Sequence, residues 1–137
     1  MKNESLSWNA TMRRNTTYLG MWTGAWVLTM ALAAFGPKLF WDFNTSYSLS
    51  AVILNLAVGA GMIHANMRYL NGLDELHRKI QLEAFAIALG VGVVAGLSYS
   101  MLDVANVILF DAEISHIVML IGITYLITFV RSMIRYR

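Results

Sequence analysis

The chain has no cysteine, one proline and little charge. The lack of cysteine excludes disulfides, thiol redox chemistry, cysteine-ligated zinc and iron–sulfur clusters. The single proline, Pro37, is placed in a loop. Charged residues make up 13% of the chain, against about 25% in soluble proteins. The net charge of +2 is too small to suggest nucleic acid, and no basic stripe is interleaved with aromatic residues. There is no HExxH, no acidic pair at helical spacing inside an apolar run, and no Ser/His/Asp set on one side of the chain's apolar layers. His64, His77 and His116 are too far apart to share a metal within one copy. These absences lead to an expectation of no catalytic residues, no metal site and no cofactor.

What the chain has in excess is apolar surface. Hydrophobic residues are 58% of its 137 residues, above the roughly 45–50% of soluble proteins. A domain this small could not hide that much from water, so the bilayer is the natural solvent. The apolar runs predict four helices, at residues 17–35, 49–70, 73–102 and 114–131. A span needs about 20 apolar residues at a rise of about 1.5 Å each. The expected fold is all-α: an integral membrane four-helix up-and-down bundle formed by residues 17–137. Residues 1–16 form a polar N-terminal arm. A signal peptide is the rival reading of the first run, with Ala31–Ala33 as the cleavage site; its length, Trp22 and Trp26 argue against that. Gly36-Pro37 is expected to end the first helix and Asn71-Gly72 to form a turn. Asn44, Ser46 and Ser48 are candidate caps for the second helix. Asp103 and Asn106 mark the exit of the third.

Four spans put both termini on one side. The segments on that side hold Lys2, Arg13, Arg14, Arg68, Arg78, Lys79, Arg131, Arg135 and Arg137. The opposite loops hold Lys38 alone, so nine of the ten basic residues share one side. The positive-inside rule makes that side cytoplasmic.

In lipid, helices associate by close backbone approach through small residues. The third helix has such a ridge, running Ala84, Ala88, Gly92, Gly96 and Ser100. Gly20 and Gly24 form a second GxxxG, on the first helix. Gly61 lies on a shorter ridge of the second helix, with Ala57 and Ala65. The fourth helix has only Gly122, and its β-branched residues suggest a lipid-facing position.

Three polar residues lie inside the spans as a candidate intramembrane site: Asn55, His64 and Thr124. His64 is the one ionisable side chain well inside a span, which makes it a functional hypothesis by default. The favoured role is structural, with the imidazole hydrogen-bonded; the rival is proton relay. Asn55 faces away from His64. A small multidrug-type exporter would need a membrane-embedded glutamate in its first helix, and none lies between Thr17 and Phe35.

Between Leu73 and Ala84 the pattern is helical and charged. Asp74, Glu75, His77, Arg78, Lys79 and Glu83 make up a cytoplasmic charged segment. Asp74–Arg78 and Glu75–Lys79 are acidic-before-basic pairs at the favoured spacing, each expected to contribute about 0.2–0.5 kcal/mol. The run LDELHRKIQLEAFAIALG resembles a segment of small uncharacterised bacterial four-helix membrane proteins, of the form L-D-E-L-x-R-x-I-x-L-E-A. Leu73, Asp74, Glu75, Leu76, Arg78, Ile80, Leu82, Glu83 and Ala84 carry the likeness. It covers about a tenth of the chain and implies a bacterial inner membrane source and the same topology, with no activity attached.

The expected function is therefore non-enzymatic: an accessory or interaction subunit that acts through helix packing and its charged segment. An oligomeric ion channel or transporter subunit is the alternative. The expected partners are the lipid bilayer and either further copies of the chain or another membrane protein.

Overall fold

The computed structural model describes the backbone of residues 2–136 and the side chains of residues 7–136. The described chain is all-α. Its helices are α1 (Lys2–Leu39), α2 (Thr45–Gly72), α3 (Glu75–Val104) and α4 (Ile114–Arg135). All four are long and apolar enough to cross a membrane.

The helix ends depart from expectation in several places. From Lys2 onward the polar arm is helical and continuous with the first span, so α1 does not begin at Thr17. Pro37 lies inside α1, whose last residue is Leu39. The ring removes one donor, but in the final turn few backbone bonds remain to be lost. Phe40 N–H still closes on the Gly36 carbonyl at 2.8 Å. Asn71-Gly72 is the last of α2, not a turn, and no glycine among the described residues has positive φ. The break falls at Leu73, in extended conformation, followed by Asp74 as the N-cap of α3. Residues 107–110 are neither helix nor strand. α4 runs past Arg131 to Arg135.

Two expectations about helix ends are met with definite partners. Asn44 caps α2, its Oδ1 accepting from the backbone N–H of Ser46 at 3.1 Å and of Tyr47 at 3.4 Å. Asn106 follows α3 with φ of 54°, a left-handed conformation that asparagine tolerates. Its N–H reaches the Asp103 carbonyl while Val107 N–H reaches Leu102, both at 2.9 Å, which is the Schellman ending of a helix.

The chain divides into two compact units, Met1–Leu73 and Asp74–Arg137. Each is one helical hairpin: α1 packs on α2 and α3 on α4. In the first hairpin, large rings fill the gaps that glycines leave. A Cβ built on Gly61 would collide with the Trp22 ring, and one on Gly59 would fall 3.2 Å from Trp26. Nearer the helix ends, Asn15 meets Gly72 and Arg68 lies 5.3 Å from the Tyr18 ring centroid. Residue numbers rise along α1 as those of their α2 partners fall, so the pair is antiparallel. At the connecting loop the Trp41 ring covers Gly36, and its Nε1–H donates to Ser48 Oγ at 2.9 Å.

The second hairpin is built on the small-residue ridge of α3. Ile80, Ala84, Ala88 and Gly92 recur every four residues and are all buried. Ala84 is 0% exposed. Ile121 occupies the space over Gly92 and Ile117 that over Gly96. The β-branched residues of α4 are therefore not only lipid-facing: two of them fill the ridge. Dispersion contacts of this kind, in the absence of a hydrophobic drive, hold membrane helices together.

Gly20 and Gly24 do not take part. Nothing lies within 4 Å of a Cβ built on either. α1 turns Trp22 toward α2, and a residue two positions away is rotated by about 200° around the helix. The first GxxxG thus points away from the seam of its own hairpin.

Candidate functional site

The polar residues inside the spans are placed separately. Asn55 is bonded across the first hairpin. Its Nδ2 donates to Thr29 Oγ1 at 2.9 Å and to the Trp26 carbonyl at 3.2 Å. Thr29 Oγ1–H in turn donates to the same carbonyl at 2.9 Å. His64, by contrast, lies exposed on α2 with no hydrogen-bond partner among the described residues. The expected hydrogen-bonded role for His64 is not what the hairpin provides. The i+9 spacing is the reason: with Asn55 turned to α1, His64 is turned away from it. Thr124 is half-buried on α4 and makes no side-chain hydrogen bond among the described residues. Asn55, His64 and Thr124 do not converge.

A second interhelical bond was not visible in the sequence. Gln81 is buried on α3, and its Oε1 accepts from the Tyr125 hydroxyl of α4. The Tyr125 ring is stacked between Phe85, with centroids at 4.9 Å, and Phe129, at 6.0 Å. The one signal for it was Gln81 itself, a polar side chain next to Ile80 at the mouth of an apolar helix. Asn15 is likewise buried, its Nδ2 against Gly72 and its Oδ1 without a partner among the described residues. At the opposite end of the second hairpin, Tyr99 Oη and His116 Nδ1 lie 2.9 Å apart. Asp103 Oδ2 accepts from Ala112 N–H at 3.2 Å, which ties the α3–α4 loop back to α3.

The charged segment sits where α3 begins and α4 ends. Asp74 Oδ1 accepts from the His77 backbone N–H at 3.0 Å and lies 2.6 Å from His77 Nδ1. The backbone N–H, helped by the imidazole, holds the Asp74 carboxyl below its usual value against a smaller effect of burial. The expected Asp74–Arg78 and Glu75–Lys79 ion pairs do not form. Asp74 is committed to capping, and the Lys79 ammonium lies 5.6 Å from the Tyr136 ring centroid. The Arg135 guanidinium lies 5.9 Å from the centroid of the same ring. Glu83 is half-buried, and its Oε2 is shut off from solvent with no hydrogen-bond partner among the described residues.

No family model, curated protein or solved structure matches the chain. Asn55 and Gln81 already have partners within their hairpins, so their polarity serves helix pairing. The α3-start, α4-end surface is different. There Glu75, Arg78, Lys79, Leu82, Glu83 and Tyr136 line an open groove of about 580 Å³. Its charges are not paired with one another, which leaves them able to meet a charged group from outside.

Proposed function

We propose that the protein is a non-enzymatic interaction subunit of a membrane assembly. It would sit as a four-helix up-and-down bundle in a bacterial inner membrane, with both termini cytoplasmic. The grouping of nine of the ten basic residues supports that orientation. One observation carries the functional reading. Small-residue surfaces on α2 and α3 are filled by rings and isoleucines of the adjoining helix, while Gly20 and Gly24 of α1 have nothing of their own hairpin against them. A GxxxG face is suited to close approach by another helix. The accessory role follows from that open face, together with polar groups spent on pairing helices.

The lack of cysteine makes the test direct, because an introduced cysteine is unique. Gly24→Cys in native membranes is expected to give an oxidative or bifunctional crosslink to a second copy or another membrane protein. Leu56→Cys, on an exposed part of α2, is the control and is expected to give none. Equal crosslinking at both positions, or none at Gly24→Cys, would sink the reading.

The alternative, an oligomeric channel or transporter subunit, is favoured by one feature: His64 is exposed at span depth without a partner. Asn55 no longer supports that alternative, since its amide is bonded to α1.

A further inference from the structure

The groove between the start of α3 and the end of α4 has an unusual charge arrangement. Glu75, Arg78, Lys79 and Glu83 all line it, two of each sign. They stand three and four positions apart on one helix, within reach of one another. Yet none forms an ion pair among the described residues. Lys79 faces the Tyr136 ring, and the Glu83 Oε2 is enclosed without a donor. An enclosed acceptor without a donor is costly, and so is ordered charge without a counter-charge. A purely anionic ligand would answer the cations and leave Glu83 worse off. A purely cationic one would do the reverse. Only a ligand with both signs, a short distance apart, answers both.

We propose that this groove binds the headgroup of a zwitterionic aminophospholipid, one with a phosphodiester and a primary ammonium. Arg78 and Lys79 take the phosphate oxygens, with Arg135 adding positive charge beside Tyr136. Glu83, which lines the groove, accepts from the ammonium N–H groups once its carboxylate turns from its enclosed position into the groove. Leu82 and the Tyr136 ring supply an apolar wall for the start of the acyl chains. The position suits a lipid: the groove lies at the polar end of two helices that are each long and apolar enough to cross a membrane. Basic clefts between helices at that depth are known headgroup sites. Here the added carboxylate changes the selectivity from anionic lipid to zwitterion. A quaternary ammonium has no N–H to donate, so a choline headgroup should bind less well than an ethanolamine one.

The test uses the delipidated full-length chain in detergent, with lipid retention followed by native mass spectrometry and melting followed by circular dichroism. The probes are phosphatidylethanolamine, phosphatidylcholine, phosphatidylglycerol and free glycerophosphoethanolamine. Phosphatidylethanolamine is expected to be retained about tenfold more tightly than phosphatidylcholine, as for one charge-assisted hydrogen bond gained. Glu83→Gln is expected to remove that preference while leaving the helical signal intact. Lys79→Ala with Arg78→Ala should weaken both lipids. Free glycerophosphoethanolamine competing as well as the lipid would place the specificity in a soluble phosphodiester and overturn the lipid assignment. Equal retention of the ethanolamine and choline lipids by the unaltered chain would overturn the proposal. So would stronger retention of phosphatidylglycerol, or a preference that survives Glu83→Gln. The comparison of lipids on the unaltered chain needs no variant to fold.

Discussion

Asn55 shows what one polar side chain does at span depth. Its amide nitrogen bridges two acceptors of α1, and the alternative for that group in hydrocarbon is no partner at all. Interhelical hydrogen bonds of this type contribute on average about 0.6 kcal/mol and at most about 1.7 kcal/mol. Asn55→Ala is therefore expected to lower unfolding stability in detergent by that amount. His64→Ala, which breaks no bond in the hairpin, should change it by less than the Asn55 variant. The same unfolding titration checks both. Asp74 acts at the other extreme, in water. Asp74→Ala should cost α3 its cap, about 0.5–2 kcal/mol, seen as faster hydrogen exchange of the His77 amide. The pH dependence follows from its lowered carboxyl. The folded form holds its proton less tightly than the unfolded form. The contribution of the charged cap is thus complete above the ordinary aspartate value of about 3.9, and it fades as pH falls through the lower folded value. Comparison with Asp74→Asn at each pH isolates it: the two should differ at neutral pH and coincide in strong acid.

At the level of helices, the two hairpins use opposite fillings for the same gaps. α1 pushes tryptophan rings onto the glycines of α2, while α4 lays isoleucines along the ridge of α3. Leucine at Gly61 or Gly92 has no room without displacing Trp22 or Ile121. Either substitution is expected to separate its helix pair, with a loss of about 1–3 kcal/mol from overpacking. Leucine at Gly20 meets open space and should leave the hairpin stability unchanged, although it should reduce the crosslinking expected at Gly24. Unfolding midpoints for Gly61→Leu, Gly92→Leu and Gly20→Leu make the comparison. A loss at Gly20→Leu equal to that at Gly61→Leu would mean that both α1 faces are packed alike.

For the molecule as a whole, the number and type of elements were legible in the sequence because run length and apolar content suffice for them. The boundaries were less so. Asn71-Gly72 has the composition of a turn, yet continuing α2 lets Asn15 close on Gly72, and Asp74 caps the next helix only two residues later. Gly36-Pro37 was overridden in the same way, by the Trp41 ring seated on Gly36. The charged segment was legible as a unit, but its pairing was not. Spacing along a helix says which side chains are near; it does not say that Lys79 will turn to an aromatic ring from α4. The Gln81–Tyr125 bond joins residues 44 positions apart, and no local pattern in either helix names the other. The same holds for the open GxxxG: glycine spacing identifies a face suited to packing, and only the position of Trp22 tells which face is left over.

The bond from Asn55 to Thr29 spans 26 positions and lies wholly within the first unit. Its consequence concerns the order of synthesis. Chains emerge at about 5–20 residues per second, so α1 and α2 are complete several seconds before α4 is made. Contacts of short sequence separation form first, since their loop-closure cost is low. The Asn55 amide can therefore enter the bilayer already paired with Thr29 and Trp26. A polar group that would oppose the insertion of a lone α2 then favours the insertion of α1 and α2 together.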